Sequence, residues 1–416
     1  MSSHPSHPSS IKNIRLCQSC ELPVEIQAIK RGHSAYCPRC NTQLYRSESY
    51  SISGNLAIAV TGLLLFFPSL YFDFISIRLV GVMIPGTLVD GVTALYNEGF
   101  PGLAFLTFYC AMITPFVMCS AIVIVHLSLR YRWYHPLRYA LNILGPMRHW
   151  VMLDVFLVSI AVSCFKLQDY SDIYIGNALY SLILLQVLSV MLLSRISIRR
   201  YWEEWQIEHD LNLKIKDVHC RNCHLSQPES SRCLRCHHAL YHRKPFSVQK
   251  TWALVIAACV AIIPANLIPI SILLTNGQRL EDTIFSGVAS LINSEMYGIA
   301  VIIFVASIVV PVAKVIGLIY LLLIIQFKKV NNHRFDMMIY RAIKWIGKWS
   351  MLDLFVISIM LTLVDRGQIL NFTPGFGAVA FGIVVILTML AAESIDPRLL
   401  WDSQPKSKQP SLKKES

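Results

Sequence analysis

One unit recurs along this chain. Sliding the sequence on itself by 196 positions lays Cys37 on Cys233, Cys40 on Cys236, Pro68 on Pro264 and Pro115 on Pro311. A shift of 199 lays Trp150-Val151-Met152-Leu153-Asp154 on Trp349-Ser350-Met351-Leu352-Asp353. Each copy opens with a CxxC…CxxC cluster, Cys17, Cys20, Cys37 and Cys40 in the first and Cys220, Cys223, Cys233 and Cys236 in the second. Hydrophobic stretches of membrane length follow each cluster. A soluble two-domain enzyme does not keep such register across apolar runs, so the chain is expected to fold as two like bundles.

With 54% hydrophobic and 15% charged residues and a mean hydropathy of +0.51, the chain is too apolar for a soluble globule. Apolar windows of about 18 residues or more predict transmembrane helices. Four fall in each copy, near 54–74, 100–129, 150–166 and 174–194, then near 251–274, 299–326, 350–364 and 376–393. The third of each set is short. The expected fold is an all-α multi-pass membrane protein with two tandem four-helix transmembrane units, each preceded by a small cytoplasmic zinc ribbon. Its segments are a tail and ribbon over 1–50, a first bundle over 51–198, a linker and second ribbon over 199–247, a second bundle over 248–396 and a disordered tail over 397–416.

Lys and Arg in the short loops set the orientation. Arg130, Arg132, Arg138 and Arg148 lie in one loop, and Lys328, Lys329, Arg334, Arg341, Lys344 and Lys348 in its counterpart. The loops near 75–99 and 275–298 hold one Arg each, Arg78 and Arg279. Both clusters, both basic loops and both termini are therefore expected on the cytoplasmic face. This asymmetry and attraction to anionic lipid account for the net charge of +12. No stacking-aromatic array accompanies that charge, so no nucleic-acid partner is expected. The first residues lack an apolar signal-peptide core, and the opening MSSHPSHPSS reads as disordered.

Two residues between paired cysteines let one tight turn present both sulfurs to an ion, and two such pairs close a four-sulfur shell. Each cluster predicts a structural Zn2+ site in a ribbon too small to hold its own core. Rubredoxin-like iron and a dithiol redox pair are the competing readings. His224, His237 and His238 crowd the second cluster and offer a substitute ligand. Cys110, Cys119, Cys164 and Cys259 lie in apolar spans, as small buried hydrophobes do.

Three ionisable residues stand out inside the spans. A charge at the bilayer centre costs roughly 2.5 kcal/mol or more, so it faces a bundle interior or water. Asp154 and Asp353 open the third span of each copy, and an acid at a helix start also suits the helix dipole. Lys314 lies mid-span where the first copy has Met118. Asp353 is its expected partner. Asp154 has no aligned lysine, so water, hydroxyls or a group from another span must meet its charge. These three are the candidate transport and proton-coupling residues.

Pro68, Pro115, Pro264 and Pro311 are expected to bend their helices, with Ser69 and Asn266 placed to satisfy freed carbonyls. Leu88, Val92 and Leu95 share one helical face, as do Ile284, Val288 and Leu291, which predicts an amphipathic helix at the outer leaflet in each copy. No GxxxxGK[ST] motif is present, so ATP hydrolysis by this chain is not expected.

The two clusters ending in Cys37-Pro38-Arg39-Cys40 and Cys233-Leu234-Arg235-Cys236, the paired WxMLD motifs and the closing Ala391–Asp402 stretch AAESIDPRLLWD together resemble the paraquat-inducible protein A family. The second cluster departs from the pattern at Leu234, where the first has Pro38. The resemblance implies a non-enzymatic inner-membrane component of Gram-negative cells that works beside a periplasmic MCE-domain tunnel protein. It implies phospholipid movement between membranes and support of envelope integrity. The competing class is a membrane metal or redox sensor or scaffold built on its ribbons, and a membrane oxidoreductase using the CxxC pairs is a third reading.

Overall fold

A computed structural model describes residues 14–25, 29–30, 32–46, 51–79, 82–167, 172–207, 218–227, 230–275, 278–293, 295–328, 332–364 and 370–402. Of the tail expected to be disordered over 397–416, residues 397–402 are described and hold a 3-10 helix, Pro397–Trp401, buried at Arg398, Leu400 and Trp401; the rest of it and the opening stretch lie outside the described residues.

The duplication holds element by element. In the first unit a helix, Ile52–Tyr71, leads into a hairpin of Ile75–Leu79 and Val82–Gly86, then a short helix, Leu88–Asn97. A long helical span follows over Pro101–Tyr131, then helices Tyr134–Met147 and Leu153–Leu167, a strand Asp172–Ile175 and a helix Asn177–Arg195. The second unit repeats this as Ser247–Leu267, Ser271–Thr275 with Gln278–Asp282, Ile284–Asn293, Tyr297–Phe327, His333–Ile346, Leu352–Val364, Leu370–Pro374 and Phe376–Ser394.

Both long spans carry one π-helical turn, Tyr109–Ile113 and Val305–Val309, 196 residues apart. Each ends just before a proline, Pro115 or Pro311, that has no N–H to give to the preceding turn. The wider turn absorbs that missing bond. Pro68 and Pro264 sit in the last turns of their helices. Ser69 Oγ donates to Phe66 O and Asn266 Nδ2 to Ile262 O, so neither reaches the carbonyl four residues before its proline.

Among the described residues, seven helices are long and apolar enough to cross a membrane. The third helix of the first unit is not among them. Its 15 residues rise about 22 Å, against a hydrocarbon core of about 30 Å. Its counterpart, Leu352–Val364, has 13 residues and reaches span length only through the helix before it. Both helices are shielded by protein. Phe156 packs edge-on against Phe355 at 5.5 Å, and Ser159 Oγ crosses between the units to Leu352 O at 3.0 Å. The two short helices thus form the seam of the molecule. Phe74, Phe156, Leu352, Phe355 and Val385 belong to one buried core that spans both units.

The loops expected at the outer leaflet hold more than the amphipathic helices. In each unit the hairpin pairs with the strand that precedes the last helix, in the registers Ile75↔Ile175 and Ser271↔Pro374. The result is a three-stranded antiparallel sheet with the hairpin's first strand in the middle. The helices that follow do bury the expected faces, through Leu88 and Leu95 in one and Ile284, Val288 and Leu291 in the other.

Candidate functional site

The two cysteine clusters are built from four copies of one turn. In each, the residue after the second cysteine takes the left-handed conformation, at Glu21, Asn41, His224 and His237. Its N–H returns to the carbonyl of the first cysteine in all four turns. That backbone reversal points both sulfurs inward. His224 and His237 are therefore turn residues, equivalent to Glu21 and Asn41, and not substitute ligands. His224 instead faces His219, with ring nitrogens 3.3 Å apart, and His238 is exposed.

The eight cysteines are 0–4% exposed. Within each cluster the four sulfurs lie within 4.8 Å of one another. Cys17 and Cys40 approach to 3.5 Å, Cys20 and Cys37 to 3.6 Å, Cys220 and Cys236 to 3.6 Å, and Cys223 and Cys233 to 3.4 Å. A tetrahedral ion bound at about 2.3 Å has sulfur–sulfur edges of about 3.8 Å, so both shells fit one. Thiol contact with Cys17, helped by burial, pushes Cys20 far above an ordinary thiol. Contact with the same Cys17 holds Cys40 far below one. Sulfurs this close ionise together only around a cation.

The ribbons dock in exchanged places. The first ribbon sits under the second unit. Arg334 donates to Pro38 O at 2.9 Å, and Arg341 to Cys40 O at 2.7 Å and Thr42 Oγ1 at 2.6 Å. The second ribbon sits under the first unit, where Tyr134 donates to Arg235 O at 2.6 Å. Each ribbon thus docks against the bundle that does not follow it in the chain. The arginine of each CxRC turn stacks on a tryptophan that follows a bundle: Arg39 on Trp401 at 4.4 Å and Arg235 on Trp202 at 5.6 Å. These tryptophans are related by the 199-residue shift.

The closing AAESIDPRLLWD stretch is the clasp for the first ribbon. Asp396 is fully buried, caps Arg398 N, and takes Arg221 of the second ribbon and Lys244 N. Arg398, 2% exposed, reaches Glu21 at 2.6 Å, and Arg243 joins Glu21 at 2.8 Å to Asp402 at 2.6 Å. Sequence reading missed Arg334, Arg341, Asp396 and Arg398 as contact residues. It had counted the first two only as charges that set orientation.

The three intramembrane candidates do not meet. Lys314 is 1% exposed, and its Nζ has no hydrogen-bond partner among the described residues, so the expected pair with Asp353 is not formed. Asp353 instead lines a cleft between its own helix and the helix Ile284–Asn293. Asp154 is paired across the seam with Lys348, a group from the other unit that sequence reading did not assign to it. Met118, at the position equivalent to Lys314, is fully buried in apolar packing.

Fold and sites define a duplicated, mostly helical membrane protein with two buried four-cysteine clusters, each able to hold a metal ion. A family model described as paraquat-inducible protein A matches twice, over residues 52–206 and 248–404, each match running through a bundle and the tryptophan after it. The chain belongs to the paraquat-inducible protein A family. It is 38% identical over 395 residues to the lipophilic envelope-spanning tunnel protein A of Escherichia coli K12, covering 93% of this chain and 91% of that one. It is 33% identical over 396 residues to a probable intermembrane transport protein of Haemophilus influenzae, covering 92% and 95%. With the intermembrane transport protein PqiA of Escherichia coli K12 it shares 29% over 413 residues, covering 96% and 98%. No solved structure matches the chain significantly.

Proposed function

We propose that this chain is the inner-membrane component of a phospholipid transport system between membranes. It loads or extracts lipid for a periplasmic MCE-domain tunnel protein and so supports envelope integrity. The observation that carries this reading is kinship over nearly the whole chain with proteins named for intermembrane transport. The cleft between the second unit's short helix and its outer helix supports it, since it opens an apolar space inside the bundle. In this reading the ribbons and both termini face the cytoplasm.

The metal is zinc, held by Cys17, Cys20, Cys37 and Cys40 in one centre and by Cys220, Cys223, Cys233 and Cys236 in the other. It has no open coordination position, so its work is to fold the ribbons. Burial of all eight sulfurs counts against a redox role, because reactive thiols are accessible ones. Lys314 is the group assigned to proton coupling, as an unpartnered amine at depth exchanges its charge more readily than a paired one. Asp353 would serve that step from the cleft, and Asp154 through its contact with Lys348.

Reconstitution of the full chain with the MCE tunnel protein in donor vesicles tests the reading. Labelled phospholipid should pass to acceptor vesicles, and Lys314→Ala should slow the passage while the protein keeps two zinc ions. Absence of any passage above tunnel protein alone would remove the transport assignment.

A further inference from the structure

The two units expose different sides of one groove. In the first unit, Gly91 of the helix Leu88–Asn97 is covered by the other unit's short helix. A Cβ there would lie 2.6 Å from Thr362 Oγ1 and 3.0 Å from Ser358 Oγ. In the second unit the equivalent glycine is Gly287, 196 residues on, and a Cβ there would meet nothing within 4 Å. The helix Leu352–Val364 therefore fills one groove with Ser358 and Thr362 and leaves the other uncovered. A true twofold would have set the helix Leu153–Leu167 over Gly287.

The uncovered groove is a shallow cleft of about 60 Å³, open along one side. Its long wall is apolar, from Ile284 and Val288 on one side and Ile357 and Met360 on the other, with Asp353 at its inner end. Residues 353 to 360 rise about 10 Å, so the space is elongated along the span. Asp282 and Thr283 stand at the outer end, where the sheet hands over to the helix. The first unit is closed at these positions too. Phe74, 1% exposed, occupies the place of Ile270, and Gly86 the place of Asp282.

The geometry points to a lipid-binding site in this cleft: an acyl chain of a phospholipid along Gly287, between Val288 and Ile357, with the headgroup at Asp282. A carboxylate at the mouth favours a headgroup with an ammonium over an anionic glycerol headgroup. The ligand class is thus a zwitterionic aminophospholipid. The assignment rests on the transport reading for its purpose, though not for its chemistry.

The test uses full-length protein in nanodiscs of phosphatidylethanolamine and phosphatidylglycerol. A photo-crosslinking residue replaces Met360 in the cleft or, as an annular control, the exposed Ile316. Capture at 360 should favour phosphatidylethanolamine over the bilayer ratio, and capture at 316 should follow that ratio. Gly287→Phe should lower capture at 360 several-fold and leave 316 unchanged, and Asp282→Asn should erase the headgroup preference. Two bound zinc ions and an unchanged elution profile certify that each variant is folded. Capture at 360 that follows the bilayer ratio and resists Gly287→Phe overturns the site, whether or not transport is seen. Selective capture without transport keeps the site and removes only its purpose.

Discussion

Gly91 and Gly287 occupy the same place in two copies of one unit, yet alanine should act on them with opposite sign. At Gly91 the added methyl would lie 2.6 Å from Thr362 Oγ1, 3.0 Å from Ser358 Oγ and 3.3 Å from Ser358 O. Thr362 cannot simply turn away, because its hydroxyl donates to Ser358 O at 2.8 Å inside a buried helix. Relief requires either a lost hydrogen bond or a shift of one unit against the other. Overpacking of this kind costs about 1–3 kcal/mol. At Gly287 no atom opposes the methyl, and replacing a helical glycine gains about 0.4–1 kcal/mol. The difference between the two variants is therefore about 1.4–4 kcal/mol, the sum of those two ranges.

Equilibrium denaturation of purified protein in detergent measures it. Gly91→Ala should lower stability and Gly287→Ala should raise it slightly. Thr362→Ala should recover most of the Gly91→Ala loss, since it removes the closest contact, Thr362 Oγ1 at 2.6 Å, and leaves only the milder ones with Ser358. The double variant then shows a coupling that neither single change carries. Equal effects at the two glycines, or no rescue by Thr362→Ala, would refute the view that the short helix plugs only one groove.

Cys37→Ser and Cys233→Ser should each reduce bound zinc from two ions to one by elemental analysis, and retention of both would dismiss four-sulfur ligation. Moving residues 1–46 behind the C-terminus should give a chain that folds and binds two zinc ions, because the first ribbon already docks beside Trp401; an unfolded product would contradict the exchanged docking. Lys348→Ala should cost about 0–1 kcal/mol, as its pair with Asp154 is a quarter to a third exposed, and a loss well above that would show a buried role. Burial, with Arg221 and Lys344 nearby, pulls Lys244 down to about 8. An unfolded lysine, near 10.4, binds the proton more tightly. Stability should thus rise between pH 8 and about 10.4, by at most about 3 kcal/mol, and Lys244→Met should flatten that rise in a denaturation series.

The parts legible in the sequence were those carried by local chemistry. The duplication, the span-length helices and the cysteine spacing each depend on residues close in the chain or on a simple period. The sheets were not legible although Ile75-Ser76-Ile77-Arg78-Leu79 alternates as a strand does, because the strand that completes the sheet pairs at Ile175, far along the chain. Long-range pairs were read least well. Lys348 reaches Asp154 across 194 residues, and Arg398 reaches Glu21 across 377. Their positions carry no spacing signal. The Lys314–Asp353 expectation failed for a related reason: both lie in adjoining spans of one unit, but Asp353 faces the cleft. The offset duplication did hold a usable signal for the clasp, since Arg39 recurs at Arg235 by the 196-residue shift and Trp202 at Trp401 by the 199-residue shift.

That signal shows that the repeat seen in sequence and the repeat seen in space are out of phase. In sequence each ribbon comes before a bundle. In space each ribbon belongs with the bundle that lies before it, and the first ribbon returns to the last bundle. The clasp at Asp396 and Arg398 therefore ties the two ends of the chain together, with Glu21 held by both Arg398 and Arg243. The seam between the short helices ties the same two bundles at a second level. A ring closed at both levels constrains the units more than either contact alone, because loosening one leaves the other intact. It also explains how the copies diverge without losing the fold. The first unit gives up its groove to its partner's helix and becomes packing, with Met118 where the second has Lys314. The second unit keeps an open cleft, a buried amine and an acid at the cleft's inner end. One copy serves as the frame against which the other holds its polar groups at depth.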